Sequence, residues 1–245
     1  MEFLVLATKY TFQAAFIAMA AGAIYFALER SNVAAQYRSA VNMATLICFI
    51  AAVQYFGMKG VVGIDGGAEA IVAFPTELRY VDWLLTTPLL VAMVPIMLQT
   101  RGRGLMTRLV IFDIIMITTG YLGEIAINTE ETSGMFAWIM FGVSTLAWLM
   151  IVFDLFISID KDINKAPRPI RDGLRTLRMF ITFGWAIYPI GFVAALSYGT
   201  LELLLLRELI YNFSDVFNKV GYGLVALGAV KQLTRLQETE ALANA

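Results

Sequence analysis

Residues 208–224 read ELIYNFSDVFNKVGYGL and determine the predicted fold, because they place Lys219 in the middle of an otherwise apolar helix. Asp215 lies one helical turn before it. A charged ammonium group at the depth of a lipid bilayer is energetically expensive, so a lysine in such a helix indicates a functional site with a partner or a covalent bond. Residues 79–88, RYVDWLLTTP, contain the expected partner, Asp82.

The composition of the chain predicts a membrane protein. Of its 245 residues, 59% are hydrophobic, and the mean hydropathy of +0.73 exceeds that of ordinary soluble domains. A membrane-spanning helix needs about 20 mostly apolar residues, and seven segments meet this requirement: 7–28, 40–58, 80–99, 106–127, 134–158, 177–199 and 201–230. Backbone groups cannot stay unpaired in lipid, and the alternating pattern of a barrel is absent, so helices are expected. The sequence therefore predicts an all-α membrane protein, a seven-transmembrane-helix bundle that forms a single domain over residues 1–245.

The distribution of charge predicts the orientation of this bundle. Alternate connectors and the tail are basic, through Arg30, Arg38, Arg101, Arg103, Arg108, Lys161, Lys165, Arg168, Arg171, Arg175, Arg178, Lys231 and Arg235. The connectors on the other side are mostly acidic, with Lys59 as the exception, through Asp65, Glu69, Glu77, Glu124, Glu130, Glu131 and Glu202. An excess of lysine and arginine marks the cytoplasmic side. The N-terminus is therefore expected outside and the C-terminus inside.

Residue counts exclude several classes of function. The chain has no histidine, so histidine metal sites and histidine acid–base chemistry are excluded, and no metal site is expected. Its one cysteine, Cys48, lies in the second span, where a small buried apolar residue is the simplest interpretation. No basic patch suggests nucleic acid. Residues 160–172, with Pro167 and Pro169, are predicted to be the most loop-like connector.

The third span carries one polar stripe. Arg79, Asp82, Thr86 and Met93 follow one another at steps of three, four and seven residues and therefore share a helical face. A charged stripe is expected to face the interior of the bundle. With Asp215 and Lys219 it brings two positive and two negative charges together, and such a balanced quartet can stay ionised. A purely structural network of ion pairs is the alternative, but buried ion pairs stabilise less well than apolar packing.

A partly desolvated lysine amine can also condense with an aldehyde to form a Schiff base. A conjugated ligand would need aromatic and soft side chains around it, and other spans offer Tyr55, Trp83, Met116, Trp148, Trp185 and Tyr188. Each of these alone is typical of core packing, so only their combination indicates a ligand pocket.

Three stretches together resemble a known family. Residues 79–88, residues 185–189 (WAIYP) and residues 215–223 (DVFNKVGYG) are similar to the motifs of spans three, six and seven of the microbial (type 1) rhodopsins. The resemblance extends over all seven spans and is nearest to the proteorhodopsin and xanthorhodopsin branch. The first and last motifs are highly specific, whereas the middle motif is weaker alone.

The resemblance implies a role for each matching residue. Lys219 would carry all-trans retinal as a Schiff base, Asp82 would be the main counterion and proton acceptor, and Asp215 the second counterion. Arg79 would lie on the outward side of this pair, and Thr86 would hydrogen-bond to Asp82. Tyr55 would place a hydroxyl near the counterions, and Asp113 would pair with Thr87. The remaining expected retinal contacts are Trp83, Leu90, Met116, Trp148, Trp185 and Tyr188.

The chain departs from the family pattern at several positions. Gln54 stands where proteorhodopsins usually carry a histidine beside the counterion. Met93 stands at the position of the cytoplasmic proton donor, normally a carboxylate, so reprotonation would need water or another group. Asp154 is interpreted as an interfacial acid. Arg207 occupies the place of the extracellular glutamate of bacteriorhodopsin, and Glu208 is expected on another face, so no proton-release group is expected.

These residues predict a light-driven outward proton pump that is not an enzyme and lacks a carboxylate donor. The alternative is a sensory photoreceptor with a slow photocycle, which Met93 favours. Channel, chloride-pump, sodium-pump and inward-pump functions find no support in the motifs. The expected partners are the lipid bilayer and protons, with a possible homo-oligomer and no identifiable transducer. The expected location is the cell (inner) membrane, in multi-pass form.

Leu90 carries a prediction of colour. It lies one turn after Thr86 on the inward side of span three. In proteorhodopsins, leucine at the matching place accompanies green absorption and glutamine accompanies blue absorption. We expect the purified pigment to absorb green light at neutral pH in an absorption spectrum. A blue-absorbing form at a pH where Asp82 is ionised would contradict this expectation.

Overall fold

The computed structural model describes residues 1–63, 66–99, 103–128 and 134–244 of the chain. Four of the charged residues used to predict orientation, Asp65, Arg101, Glu130 and Glu131, lie outside the described residues. The described chain is helical, with two short 3₁₀ turns at Arg30–Asn32 and Ala35–Tyr37.

Eleven α-helices are numbered in chain order among the described residues. The first six are α1 (Glu2–Glu29), α2 (Arg38–Val62), the short α3 (Ala68–Val72), α4 (Glu77–Met97), α5 (Arg103–Asn128) and α6 (Gly134–Phe153). The others are the short α7 (Asp160–Lys165), α8 (Arg168–Met179), α9 (Trp185–Tyr198), α10 (Leu201–Val216) and α11 (Tyr222–Ala243). Turns of π-helix continue α6 over Asp154–Ser158, join α8 to α9 over Phe180–Gly184 and join α10 to α11 over Phe217–Gly221.

The prediction of an all-α membrane bundle is confirmed. Six helical runs of the described chain are long and apolar enough to cross a membrane: Glu2–Asn32, Ala35–Val62, Glu77–Met97, Gly104–Ala126, Gly134–Ser158 and Arg168–Ala194. The run from α10 to α11 is also longer than the about 20 residues that a span needs, but it carries Glu208, Asp215 and Lys219 in its middle. These charges explain why the run from α10 to α11 is not apolar enough to be counted with the other six. The count of seven spans and the orientation of the termini stay predictions.

The prediction that residues 160–172 form a loop is wrong. Most of them lie in α7 and in the first turns of α8. Pro169 is tolerated because it occupies the first turn of α8, where backbone N–H groups have no partner within the helix. Arg178 donates a hydrogen bond of 2.9 Å to Asp160 and thereby lowers the pKa of that carboxyl.

The long helices pack side by side around a common interior. Among the described residues α1 contacts α2 and α10, α2 contacts α4, α4 contacts α5, α5 contacts α6, and α8 contacts α11. Stacked rings of Phe141 and Phe192, with centroids 5.0 Å apart, connect α6 to α9. The run from α10 to α11 follows α1 from end to end, because Thr8 donates to the Leu205 carbonyl at 3.3 Å and Lys231 pairs with Glu29 at 2.6 Å.

Two of the π turns meet in the interior of the bundle. The ring of Phe180 stacks on that of Phe217, with centroids 4.6 Å apart. Asn218 donates its side-chain N–H to the Gly184 carbonyl at 3.1 Å. A Cβ on Gly184 would lie 2.1 Å from Asn218 Oδ1, so only glycine allows this approach. Single π turns often occur at functional sites, and this pair adjoins Lys219.

Close packing of α11 against α1 and α2 depends on Gly223. A Cβ at this position would lie 2.5 Å from Phe26 Cζ and 3.2 Å from Ala44 Cβ. We expect Gly223→Ala to lower the thermal unfolding temperature of the purified protein, because overpacking of a filled core costs about 1–3 kcal/mol. Gly228→Ala in the same helix is the control.

A Cβ on Gly228 meets nothing within 4 Å. The control should therefore leave the unfolding temperature unchanged or raise it, since alanine favours helix over glycine by about 1 kcal/mol. Equal unfolding temperatures for the two variants would contradict the packing argument.

Candidate functional site

The amine of Lys219 lies in the interior of the bundle against two carboxylates. Its Nζ forms an ion pair with Asp82 Oδ2 and a longer one, of 3.4 Å, with Asp215 Oδ2. All three side chains are fully or almost fully buried. The sequence predicted this grouping from two separate helices, and the fold brings α4 and α10 together to form it. A buried ammonium group of this kind can stay charged because carboxylates of opposite charge lie next to it.

The two carboxylates differ in the number of donors that contact them. Asp215 Oδ1 accepts from Tyr188 at 2.6 Å and from the Trp83 indole at 3.2 Å, and its Oδ2 accepts from Tyr55 at 2.8 Å. Asp82 contacts Lys219 through Oδ2, whereas its buried Oδ1 has no hydrogen-bond partner among the described residues. Hydrogen bonds favour the ionised form of a carboxyl group. Among the described residues, both oxygens of Asp215 thus have donors besides Lys219, whereas Asp82 has none besides it.

The guanidinium of Arg79 makes its shortest contacts with Glu208 and Asn212 rather than with these two carboxylates. Its guanidinium donates to Glu208 Oε2 at 2.7 and 3.0 Å, to Asn212 at 2.7 Å and to Tyr55 at 3.2 Å. Its distance to Asp215 is longer, with 4.0 Å between Arg79 Nη1 and Asp215 Oδ2. Phe12, Phe74 and Tyr211 surround the guanidinium, with ring centroids 5.3–5.7 Å from Cζ.

The predicted neutral quartet is part of a larger network. Arg207 contacts Glu208 at 3.0 Å and Glu124 at 3.4 Å. Glu124 also accepts hydrogen bonds from Thr76 at 2.9 Å and Tyr80 at 3.0 Å. The described cluster thus contains three cations and four carboxylates: Lys219, Arg79 and Arg207 with Asp82, Asp215, Glu208 and Glu124. Glu208 follows Arg207 on a different face of α10, as expected, but its long side chain still allows its carboxylate to join Arg79 to Arg207.

An apolar cavity begins at Lys219 and Asp215. Seven predicted ligand contacts line it, namely Trp83, Thr87, Leu90, Met116, Trp148, Trp185 and Tyr188. Tyr55 is not among the lining residues; it bonds to Asp215 and Arg79 instead, since its hydroxyl lies on the N-terminal side of the ion pair. Sequence analysis missed other lining residues, including Tyr80, Gly120, Glu124, Phe141, Ser144 and Phe192. Helical spacing could have indicated Gly120 and Glu124, which follow Met116 at steps of four.

Two threonines of α4 take different partners. Thr86 donates to the main-chain carbonyl of Asp82 at 2.8 Å rather than to its carboxylate, as a hydroxyl four residues farther along a helix readily does. Thr87 contacts both the Trp83 carbonyl and Asp113 Oδ2, each at 2.8 Å. A hydroxyl has one hydrogen, so a protonated Asp113 that donates to Thr87 would satisfy both contacts.

The other end of the bundle is apolar near α4. Met93 is completely buried and belongs to the larger apolar cluster, with Leu90, Met97 and Tyr222. The nearly buried Asp154 is held by two hydrogen bonds from Arg108, at 2.6 and 2.7 Å, and by one from Ser158 at 2.7 Å. Asp154 is therefore tied to the arginine of α5.

The arrangement corresponds to a known family. The sequence model of the Bacteriorhodopsin-like protein family matches residues 6–233. The chain therefore belongs to this family, whose members carry a retinal chromophore. Among its relatives is the green-light absorbing proteorhodopsin of Gamma-proteobacterium EBAC31A08, which is 32% identical over 212 residues and covers 85% of this chain and 80% of that protein.

Solved structures of rhodopsins have the same fold. The crystal structure of Exiguobacterium sibiricum rhodopsin is 47% identical, with a TM-score of 0.89, and covers 94% of this chain and 98% of that one. Xanthorhodopsin, described as a light-driven ion pump with dual chromophore, is 25% identical, with a TM-score of 0.83 and 94% of each chain covered. The resemblance to the proteorhodopsin and xanthorhodopsin branch of the microbial rhodopsins is thus confirmed. The prediction of a multi-pass membrane protein is confirmed as well.

The residues present fit a retinal group. The cavity offers Lys219 at one end and aromatic or soft side chains along its walls. The unpartnered, buried Oδ1 of Asp82 is an acceptor that a proton on a modified Lys219 nitrogen could approach. The donor set and the apolar lining are both those that a flat conjugated aldehyde requires.

Proposed function

We propose that this chain is a light-driven outward proton pump, a transporter rather than an enzyme, with all-trans retinal on Lys219. Retinal, when bound there, would supply light absorption and a change of shape that moves the Lys219 nitrogen. The chain would act as a single domain of seven spans over residues 1–245, with the N-terminus outside and the C-terminus inside, in the cell (inner) membrane. Its partners would be lipid and protons, in a possible homo-oligomer, with no assigned transducer.

The unequal hydrogen bonding of the two carboxylates carries this proposal. Lys219 Nζ would give its proton to Asp82. It already contacts Asp82 Oδ2, and Oδ1 has no donor in the described ranges of the chain. Asp215 would stay ionised, because Tyr55, Trp83 and Tyr188 all donate to it. A fixed negative charge beside the nitrogen would then favour its later reprotonation.

The direction of transport follows from the polarity of the two ends. On the Asp82 side, Arg79, Glu208 and Arg207 provide charged groups toward the predicted outside. On the opposite side Met93 and its neighbours form an apolar barrier. A proton on Asp82 would thus leave outward through polar groups, whereas the apolar barrier opposes its return to the inside.

Transport and pigment formation are tested together. In cells supplied with retinal, light should acidify the unbuffered medium, and a protonophore should abolish the change. Lys219→Ala should give a colourless, inactive protein, while the control Lys59→Ala keeps both colour and transport, because Lys59 lies near the end of α2 against Phe16 and Phe56.

Asp82→Asn in the same assay should give a coloured protein whose absorption shifts to the red and whose transport is lost, because the negative charge next to the Lys219 nitrogen is removed. A visible band that survives in Lys219→Ala would overturn the assignment of the lysine. Colour without any pH change in the unmodified protein would favour the sensory function instead.

A methionine at position 93 leads us to expect that the Lys219 nitrogen regains its proton slowly from the inside. A thioether has no proton to give, so the proton that returns to the Lys219 nitrogen must come from the bulk. Flash absorption should show a recovery that slows as pH rises and that azide accelerates. Met93→Asp should weaken this dependence if the new acid is protonated in the dark, as burial favours, and the control Met93→Leu should preserve it.

The opposite result has a clear meaning. A recovery that is already independent of pH in the unmodified protein would require an internal donor. Met93 could then no longer be interpreted as the mark of a missing donor.

A further inference from the structure

Glu208 occupies a place in the network that the proposed pump mechanism does not use. Both of its carboxylate oxygens are engaged: Oε2 accepts from Arg79 at 2.7 and 3.0 Å, and Oε1 accepts from Arg207 at 3.1 Å. The residue is only 3% exposed. A buried carboxylate between two guanidinium groups has little freedom to move, because each oxygen is fixed by a charged donor.

The carboxylate of Glu208 determines where Arg79 lies. Arg79 is 4.0 Å from Asp215 but 2.7 Å from Glu208 and from Asn212. Two neighbouring residues therefore hold the guanidinium on the side away from Lys219. Arg207 in turn anchors Glu208 and is itself held by Glu124.

We propose that Glu208 is a positioning residue that holds the Arg79 guanidinium away from the Asp82 carboxylate and thereby sets the pH at which Asp82 takes up a proton. This inference rests on the proposed function, in which Asp82 is the acceptor beside Lys219. A positive charge that came nearer to Asp82 would favour its ionised form. Glu208 thus keeps the acceptor ready to bind a proton.

Other ionisable groups face this arginine and belong to the same equilibrium. On the elements packed around it they are Tyr55 of α2, and Glu208, Tyr211 and Asp215 of α10. Asp82 lies on the helix of Arg79 itself, and Arg207, Glu124 and Tyr80 follow behind Glu208. Apart from Glu208 itself, these phenols and carboxylates are shared by every variant below, so a difference between variants reports Glu208 and its neighbour Asn212.

The test is the pH titration of the colour of the purified pigment in the dark. The absorption maximum shifts to the red when the counterion is protonated, so the midpoint of this shift reports proton uptake by Asp82. Glu208→Gln should move the midpoint to lower pH by about one unit, the size of effect that a charge within about 4–6 Å produces. Glu202→Gln, which removes an exposed acid from the first turn of the same helix, should leave the midpoint unchanged.

A second variant separates position from charge. Asn212→Ala removes the neutral acceptor of Arg79 and changes no charge. If Glu208 and Asn212 together hold Arg79 outward, this variant should shift the midpoint in the same direction by a smaller amount. If Glu208→Gln does not fold, the titration midpoint of Asn212→Ala tests the inference on its own.

Three results would overturn the inference: a midpoint for Glu208→Gln equal to or above that of the unmodified protein, a shift in Glu208→Gln with none in Asn212→Ala, or a shift of the same size in Glu202→Gln. The first would mean that Arg79 does not depend on Glu208, and the second that Glu208 acts through its charge alone. In all these cases the pigment still forms and titrates, so the proposed function survives. Absence of any pigment would instead sink the proposed function.

Discussion

The buried amine of Lys219 is the constraint on which the arrangement of the interior depends. An unpaired ammonium group cannot remain charged in an apolar medium without a large penalty. Asp82 and Asp215 remove that penalty from two different helices. Each of them brings a further requirement, because a carboxylate without donors is itself expensive to bury. Tyr55, Trp83 and Tyr188 meet that requirement for Asp215. Trp83 and Tyr188 also line the cavity, so part of its aromatic wall donates hydrogen bonds to Asp215.

The same constraint makes the bundle chemically unequal along its length. Within the part of the chain that the structure describes, the charges that compensate Lys219 extend in one direction, through Arg79 and Glu208 to Arg207 and Glu124. In the other direction the interior is filled by apolar side chains around Met93. The proposed pump requires a barrier that differs on the two sides of Asp82. The structure has such a difference between its two ends.

Most of the helices and the central ion pair could be predicted from the sequence, because both depend on local signals. Long apolar runs define spans, and residues three, four and seven apart share a face. The network beyond Arg79 could not be predicted in the same way. Arg207 and Glu208 are adjacent and therefore lie about 100° apart on α10, yet their long side chains converge on one point. Similarly, the prolines near residue 168 indicated a loop, whereas a proline in the first turn of a helix is compatible with α8.

The π turn between α10 and α11 contains Lys219 and is bonded to a second π turn that precedes α9. Lys219 lies in a π turn, where the regular pattern of hydrogen bonds along the helix is interrupted, and Asn218 beside it bonds to the facing π turn at Gly184. Backbone in such turns can change its pattern of hydrogen bonds more easily than a regular helix. A change in the direction of the Lys219 nitrogen could therefore be passed to α9 through Asn218, which donates to the Gly184 carbonyl and to the Tyr188 hydroxyl. The position of the two π turns thus gives the Lys219 segment a direct hydrogen-bonded connection to the start of α9, separate from the end of the bundle held by arginine and glutamate.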